Sequence, residues 1–286
     1  MFFSGIADEA GKPIERQVEA HKELGWTHIE LRTVDGVNVT DLPDDAFEKV
    51  YAAVSEAGLQ VSCFASQLAN WARPISGDFS LDKDELRRAI PRMRRFGTRF
   101  IRCMSWPNDK DQPWPEPTWR DEVIRRMKEL VKIAEDGEVV LVHENCDGWA
   151  GQGPEQTLEL LHEVGSPSLK LVFDTGNPVE HDQDGWDFYQ RVRDNIVYVH
   201  IKDYKKQDGK NVACFPGEGL GCVKQIISDL LGRGYAGGFS IEPHLAAVIH
   251  LAKDAEDPQE AYRLYVEYGR RLQALVEEIT AGKEGD

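Results

Sequence analysis

The sequence predicts a single (β/α)8 barrel over residues 1–286, and three observations carry that expectation. Short apolar runs alternate with longer amphipathic ones eight times, and the strand starts fall about 26–42 residues apart. Regular alternation of this kind argues a parallel sheet, and eight units in a chain of this length match the closed barrel. No G-x-G-x-x-G follows the first strand, so a doubly wound open sheet is the weaker alternative. No linker or composition shift divides the chain.

The strands are expected at 2–7, 28–32, 60–66, 100–106, 139–145, 169–177, 196–203 and 237–244. They are 5–9 residues long and rich in Val, Ile and Phe, which suit a pleated, buried surface. The helices are bounded by local signals. The stretch PIERQVEAHKELG puts Ile14, Val18, His21 and Leu24 on one stripe and stops at Gly25. DDAFEKVYAAVSEAG stops at Gly58 and EVIRRMKELVKIAEDG at Gly137. PEQTLELLHEVG starts with Pro154 in its first turn and stops at Gly165. CVKQIISDLLGRG ends in the same way, and a long amphipathic stretch over 257–279 is expected to pack outside. The basic block RRAIPRMRRFGTR reads as the solvated face of a helix. The longest stretch expected to be non-helical, about 104–120, is rich in Pro and Trp and follows the fourth strand.

The formal net charge is −16. A surface this acidic repels phosphate backbones, so no nucleic-acid partner is expected. No apolar run approaches the roughly 18 residues that span a bilayer. The N-terminus lacks the basic and apolar regions of a leader, so no membrane is expected and the expected compartment is the cytoplasm. The five cysteines are odd in number and irregularly spaced, which suits reduced, buried thiols.

Chemistry shows at the strand ends. The fifth to eighth strands end in Glu144, Asp174, His200 and Glu242. Buried parallel strands are otherwise apolar, and barrel active sites lie at this end of the strands. Three carboxylates and an imidazole are hard-to-borderline donors. They suit one divalent ion, manganese first, with magnesium, cobalt or zinc as alternatives. A closed structural zinc site would favour thiolates.

The ordered set IELR, HEN, FDTGN, VHIKD, PGEG and GFSIEPH covers nearly the whole chain. It resembles the xylose-isomerase-like TIM-barrel superfamily. Within that superfamily it is similar to the sugar phosphate isomerase/epimerase group, related to D-tagatose/D-psicose 3-epimerases and inosose dehydratases. The resemblance implies that Glu144, Asp174, His200 and Glu242 bind one metal ion. It also implies that Glu144 and Glu242 act as an acid/base pair on a small sugar: a ketose, a ketose phosphate or a related polyol carbonyl compound. Proton abstraction would pass through a metal-stabilised enediolate. The alternative is a metal-dependent lyase, dehydrating an inosose or eliminating from an oxidised glycoside. A non-catalytic metabolite-binding barrel and an apurinic endonuclease are weaker. The endonuclease group needs extra histidines after the third and fourth strands, where this chain has CFASQLANW and RCMSW. Relatives also suggest a homodimer through the outer helices.

Further residues are candidates for substrate contact. Lys202 shares the side of its strand with His200, and His244 has the parity of Glu242. Glu30 and Arg32 alternate onto one face of the second strand, where they would touch substrate or form a buried ion pair. Asn177 stands where the resemblance implies a substrate-contacting histidine in free-ketose epimerases. Glu218 in PGEG would orient a ligand or cap a turn. Trp106, with Trp71, Trp114 and Trp119, would form an aromatic wall. His143 should face away from Glu144.

Overall fold

Each expected strand is present in the computed structural model, which describes residues 1–246 and 257–283. The barrel strands are β1 (Phe2–Gly5), β2 (His28–Leu31), β5 (Gln60–Leu68), β6 (Phe100–Ser105), β7 (Val140–Gly148), β8 (Leu169–Asp174), β9 (Ile196–Ile201) and β12 (Gly238–Ile241). They form one eight-stranded sheet in the order β1-β12-β9-β8-β7-β6-β5-β2. Every pairing along this order is parallel. The two ends of the order meet through a parallel bridge between Ile6 and Glu30, so the sheet is a nearly closed barrel.

Helices α1 (Ile14–Glu23), α2 (Asp44–Glu56), α3 (Ser80–Phe96), α4 (Glu116–Asp136), α5 (Pro154–Val164), α6 (Asn177–Glu180), α7 (Gly185–Val192), α8 (Val223–Gly232) and α9 (Pro258–Lys283) connect the strands or follow the last of them. Their apolar stripes pack on the outward faces of the strands in two large clusters. The barrel interior is separate and small, built around Cys63, Val142, Val172 and Tyr198. The Tyr198 hydroxyl bonds Ser62 at 2.8 Å, and Ser62 bonds Ser4 at 2.8 Å, so the polar atoms of this floor are paired. None of the described helices is long and apolar enough to cross a membrane.

Several boundaries differ from the sequence reading, each for a local reason. The last three residues expected in the sixth strand, 175–177, are not part of it: β8 stops at Asp174. The Asp174 carboxylate accepts the backbone N–H groups of Gly176 and Asn177, which turns the chain into α6. Helix α4 begins at Glu116, inside the stretch expected to be a loop. Proline is tolerated in a first helical turn, and buried Trp119 anchors that turn by donating its indole N–H to the carbonyl of Trp106 at 3.0 Å. Two antiparallel hairpins were not expected. They are β3 (Thr33–Val34) with β4 (Val37–Asn38), and β10 (Asp203–Gln207) with β11 (Lys210–Cys214). Each turns on an Asp-Gly pair with positive φ at both residues, Asp35-Gly36 and Asp208-Gly209.

The basic block is only partly a solvated face. Arg92 is buried on α3 and donates to the carbonyls of Val39 and Thr40 at 3.1 and 3.2 Å and of Leu42 at 2.6 Å. It thereby pairs buried carbonyls of the loop between β4 and α2.

Candidate functional site

The parallel register brings the strand-end residues to one level. Asp174 on β8 pairs with His200 on β9, and Glu144 on β7 pairs with Val172. Glu242 follows β12 directly, and its backbone N–H bonds the carbonyl of Ile201 at 3.1 Å. As a result Glu144, Asp174, His200 and Glu242, all buried, place one donor atom each within 4.8 Å of the others.

The donor set fits a divalent cation. Two carboxylate oxygens in it, Glu144 Oε2 and Asp174 Oδ2, are buried and accept no hydrogen bond. Such oxygens are costly unless a cation or a donor completes them. Their charged neighbours are Arg102 Nη1 at 3.3 Å and Lys202 Nζ at 3.4 Å.

His200 is aimed from behind. Its Nδ1 lies 3.2 Å from Glu144 Oε1, while its Nε2 lies 3.1 and 3.2 Å from the two oxygens of Glu30. Ser240 donates to Glu30 at 2.6 Å. A carboxylate on the far nitrogen fixes the tautomer and ring orientation of a metal-binding histidine. Glu30 therefore lies beneath the site rather than in the cavity, and the described residues show no ion pair between it and Arg32. Arg32 instead reaches Asp8, Glu9 and Glu242.

The charges are strongly coupled. Burial alone would raise the Glu144 carboxyl, but Arg102 and His200 outweigh it and bring it to about 2. Burial also opposes ionisation of Glu242, yet Lys202, His244 and Arg32 hold it well below the carboxylate range. Burial dominates at Asp174, which rises to about 7 despite Lys202. For His200 burial disfavours the charged ring, and Glu30 and Glu144 override that and lift it well above its ordinary value. Both glutamates are thus ionised at neutral pH.

A cavity of about 380 Å³ opens over this floor. Lys202, Asn177, His244 and Arg32 line it together with Glu144 and Glu242. Lys202 Nζ donates to Asn177 Oδ1 at 2.7 Å and lies 3.4 Å from Glu242 Oε2. The Asn177 amide also reaches Glu144 Oε1 at 3.5 Å, so Asn177 spans both sides of the site. His244 is held at φ +53°, an uncommon conformation for a residue with a side chain. Its backbone N–H donates to Glu9 at 2.8 Å and its Nδ1 meets the Tyr204 hydroxyl at 2.8 Å, which together turn the ring toward Glu242.

Like Glu30, the candidates Trp106 and Glu218 fall outside the cavity. Trp106 is fully buried behind it, donating its indole N–H to Asp82 at 2.8 Å. Trp71 is the tryptophan that lines the cavity, with 38% of its surface exposed. Glu218 is exposed and bonds Arg271 at 2.7 Å. The glycines around it serve the turn: the N–H groups of Gly217, Gly219 and Gly221 all donate to the Asp203 carboxylate at 2.8–2.9 Å. His143 faces away from the site, as its parity requires, and burial lowers its ring to about 4.

The sequence reading missed Arg102, Asp8 and Glu9. Arg102 sits in the middle of β6, buried against Glu144 and the carbonyl of Ser66. A charge inside a strand was the signal that singled out the other four, and it was present here as well.

Comparisons with known proteins agree with this architecture. The family described as xylose isomerase-like TIM barrel matches residues 18–268. An inosose dehydratase of Geobacillus thermodenitrificans is 24% identical over 149 residues, 47% of this chain and 50% of that protein. A D-psicose 3-epimerase of Enterocloster bolteae is 25% identical over 141 residues, 48% of this chain and 44% of that protein. The matched region thus spans about half the length of these relatives. A xylose isomerase-like TIM-barrel protein of Mycobacterium smegmatis, crystallised in complex with magnesium, superposes with a TM-score of 0.69. It is 18% identical, over 96% of this chain and 97% of that one. At that identity the likeness concerns the fold. With the barrel, its strand order and the extent of the family match on the page, the chain belongs to the xylose isomerase-like TIM-barrel family.

Proposed function

We propose that this protein is a divalent-metal-dependent isomerase or epimerase of a small polyhydroxylated carbonyl compound. The observation that carries the reading is the pair of ionised glutamates, Glu144 and Glu242, meeting at one four-residue donor set. Glu144, Asp174, His200 and Glu242 would hold the ion. When bound, a divalent ion would polarise a substrate carbonyl and the neighbouring hydroxyl, making the adjacent C–H acidic.

The chain supplies the rest. Either glutamate can accept the proton on carbon, because both are ionised at rest. The electron pair of the broken C–H bond passes into the carbonyl and leaves an enediolate. Returning the proton to the neighbouring carbon isomerises the substrate; protonation from the opposite face epimerises it. Arg102 steadies Glu144, while Arg32, Lys202 and His244 steady Glu242, so the two carboxylates keep separate positions. Lys202 and Asn177, linked to each other, present donors to substrate oxygens. Manganese is the first choice of ion on the donor set, and the magnesium complex of a related barrel supports a hard divalent ion in this fold.

A dehydratase outcome shares the first step and is supported by the similarity to an inosose dehydratase. Lys202 and His244, both beside Glu242, would then protonate a departing hydroxyl. Loss of water gives a conjugated carbonyl that absorbs in the ultraviolet, whereas epimerisation does not. In D₂O, a panel of ketoses, ketose phosphates and inososes is expected to include a compound that exchanges its α-proton. Glu144→Gln and Glu242→Gln should each abolish that exchange. Exchange retained in both variants would overturn the acid/base assignment.

A further inference from the structure

Beside the quartet lies a second donor set. Glu9, Glu242 and His244 are buried and also place their donor atoms within 4.8 Å of one another. Glu242 belongs to both sets. Two donor sets that share a carboxylate are the layout of a two-ion centre.

The second set differs from the first because a guanidinium already stands in it. Arg32 Nη1 is 2.7 Å from Glu242 Oε1, and its Nη2 is 3.3 Å from Glu9 Oε1. Behind these contacts, Arg32 Nε bonds both oxygens of Asp8 at 3.1 Å, and Nη2 lies 3.0 Å from Asp8 Oδ1. Thr33 donates to the same Asp8 carboxylate at 2.6 Å. His244 Nε2 faces the same two glutamate oxygens, 3.4 Å from Glu242 Oε1 and 3.7 Å from Glu9 Oε1. The guanidinium is planar, permanently charged and anchored on three carboxylates. An ion coordinated by Glu9, Glu242 and His244 would have to lie among oxygens that Arg32 already spans, against a like charge.

We propose that Arg32 limits this centre to a single metal ion, its guanidinium standing in the second cation position that Glu9, Glu242 and His244 form. The inference rests on the reading that the quartet binds a divalent ion. It makes Arg32 a positioning residue. The side chain supplies a second positive charge that cannot dissociate. It also holds Glu242 Oε1 at the shortest distance, with His244 Nε2 farther off at 3.4 Å, while Oε2 faces Lys202.

The test counts ions. Chelator-stripped protein is loaded with Mn²⁺, desalted and measured for manganese per chain, with electron paramagnetic resonance to separate isolated from exchange-coupled ions. The wild type is expected to hold one ion with an isolated-ion spectrum. Arg32→Met should hold two, with the coupled spectrum of ions bridged by Glu242. The double variant Arg32→Met/Glu9→Gln should return to one. Arg32→Gln, which keeps a hydrogen-bonding amide, carries the same expectation of two ions should the Met variant fail to fold. A wild type holding two coupled ions, or a folded Arg32 variant that stays at one, would overturn the proposal and leave the proposed function standing. A wild type that holds no ion would overturn both.

Discussion

Glu30 shows how a residue can be legible and still misplaced. From the strand pattern it was a candidate for substrate contact or for a pair with Arg32. In the barrel both its oxygens turn to His200 Nε2, and Ser240 bonds one of them. The register against β5 shifts at Glu30 by passing over Ser62, and β2 ends at Leu31, so Arg32 lies past the strand whose alternation suggested the pair. Glu30→Gln should keep the fold but lose the charge that orients and polarises the imidazole. Metal affinity is then expected to fall about 10–100-fold, read by competition with a chromophoric chelator. Unchanged affinity would show that His200 is positioned by packing alone. Arg102 makes the complementary point. A charge in the middle of FIRCMSW was open to the same reasoning that found the four strand-end residues.

At the scale of the element, local chemistry settles what hydrophobic pattern leaves open. Both hairpins turn on Asp-Gly, a readable signal, but their strands are short and polar and carry no apolar alternation. The β10–β11 hairpin matters for the site because it starts at Asp203, whose carboxylate gathers four backbone N–H groups and fixes the chain just past Lys202. Helix α3 illustrates the opposite failure. Its basic run reads as solvated, yet Arg92 is the donor for three loop carbonyls. Arg92→Met would take the donor from the carbonyls of Val39 and Leu42, while that of Thr40 keeps Arg88 Nε at 2.9 Å. Unfolding free energy is expected to drop by about 3 kcal/mol, measured by urea denaturation. A change below about 0.5 kcal/mol would mean that water replaces the guanidinium.

For the whole molecule, closure of the barrel sets how stability responds to acid. His21 on α1 is fully buried between the barrel and α9. Its Nδ1 meets the Gln17 carbonyl at 2.8 Å and its Nε2 the Tyr265 hydroxyl at 3.2 Å. Burial lowers its pKa to about 4, below the ordinary 6.5. The unfolded chain therefore takes up a proton at a pH where the native chain does not. Stability is fully present above about pH 6.5 and falls as the pH drops towards 4, by about 3 kcal/mol from this residue alone. In His21→Gln that share of the slope should vanish, which pH-dependent chemical denaturation would show. An unchanged slope would place the acid sensitivity elsewhere.

The sequence by itself determined the architecture and its chemical end. Eight apolar runs at regular spacing leave few ways to bury a parallel sheet, and curling it into a nearly closed barrel covers most strand edges. Polar residues at the ends of four consecutive strands had no place in such a core unless they shared a purpose. Only the tertiary structure decided which of the other charged residues serve the cavity. It sent Trp106 behind the wall and Glu218 to the surface, left partly exposed Trp71 lining the cavity, and set Arg32 on Asp8, Glu9 and Glu242. Those outcomes depend on contacts between residues far apart in the chain, such as that of Glu9 with the backbone N–H of His244 at 2.8 Å, 235 positions away. A pattern of period two along one strand assigns a side, and a partner across the barrel is chosen only once the sheet has closed.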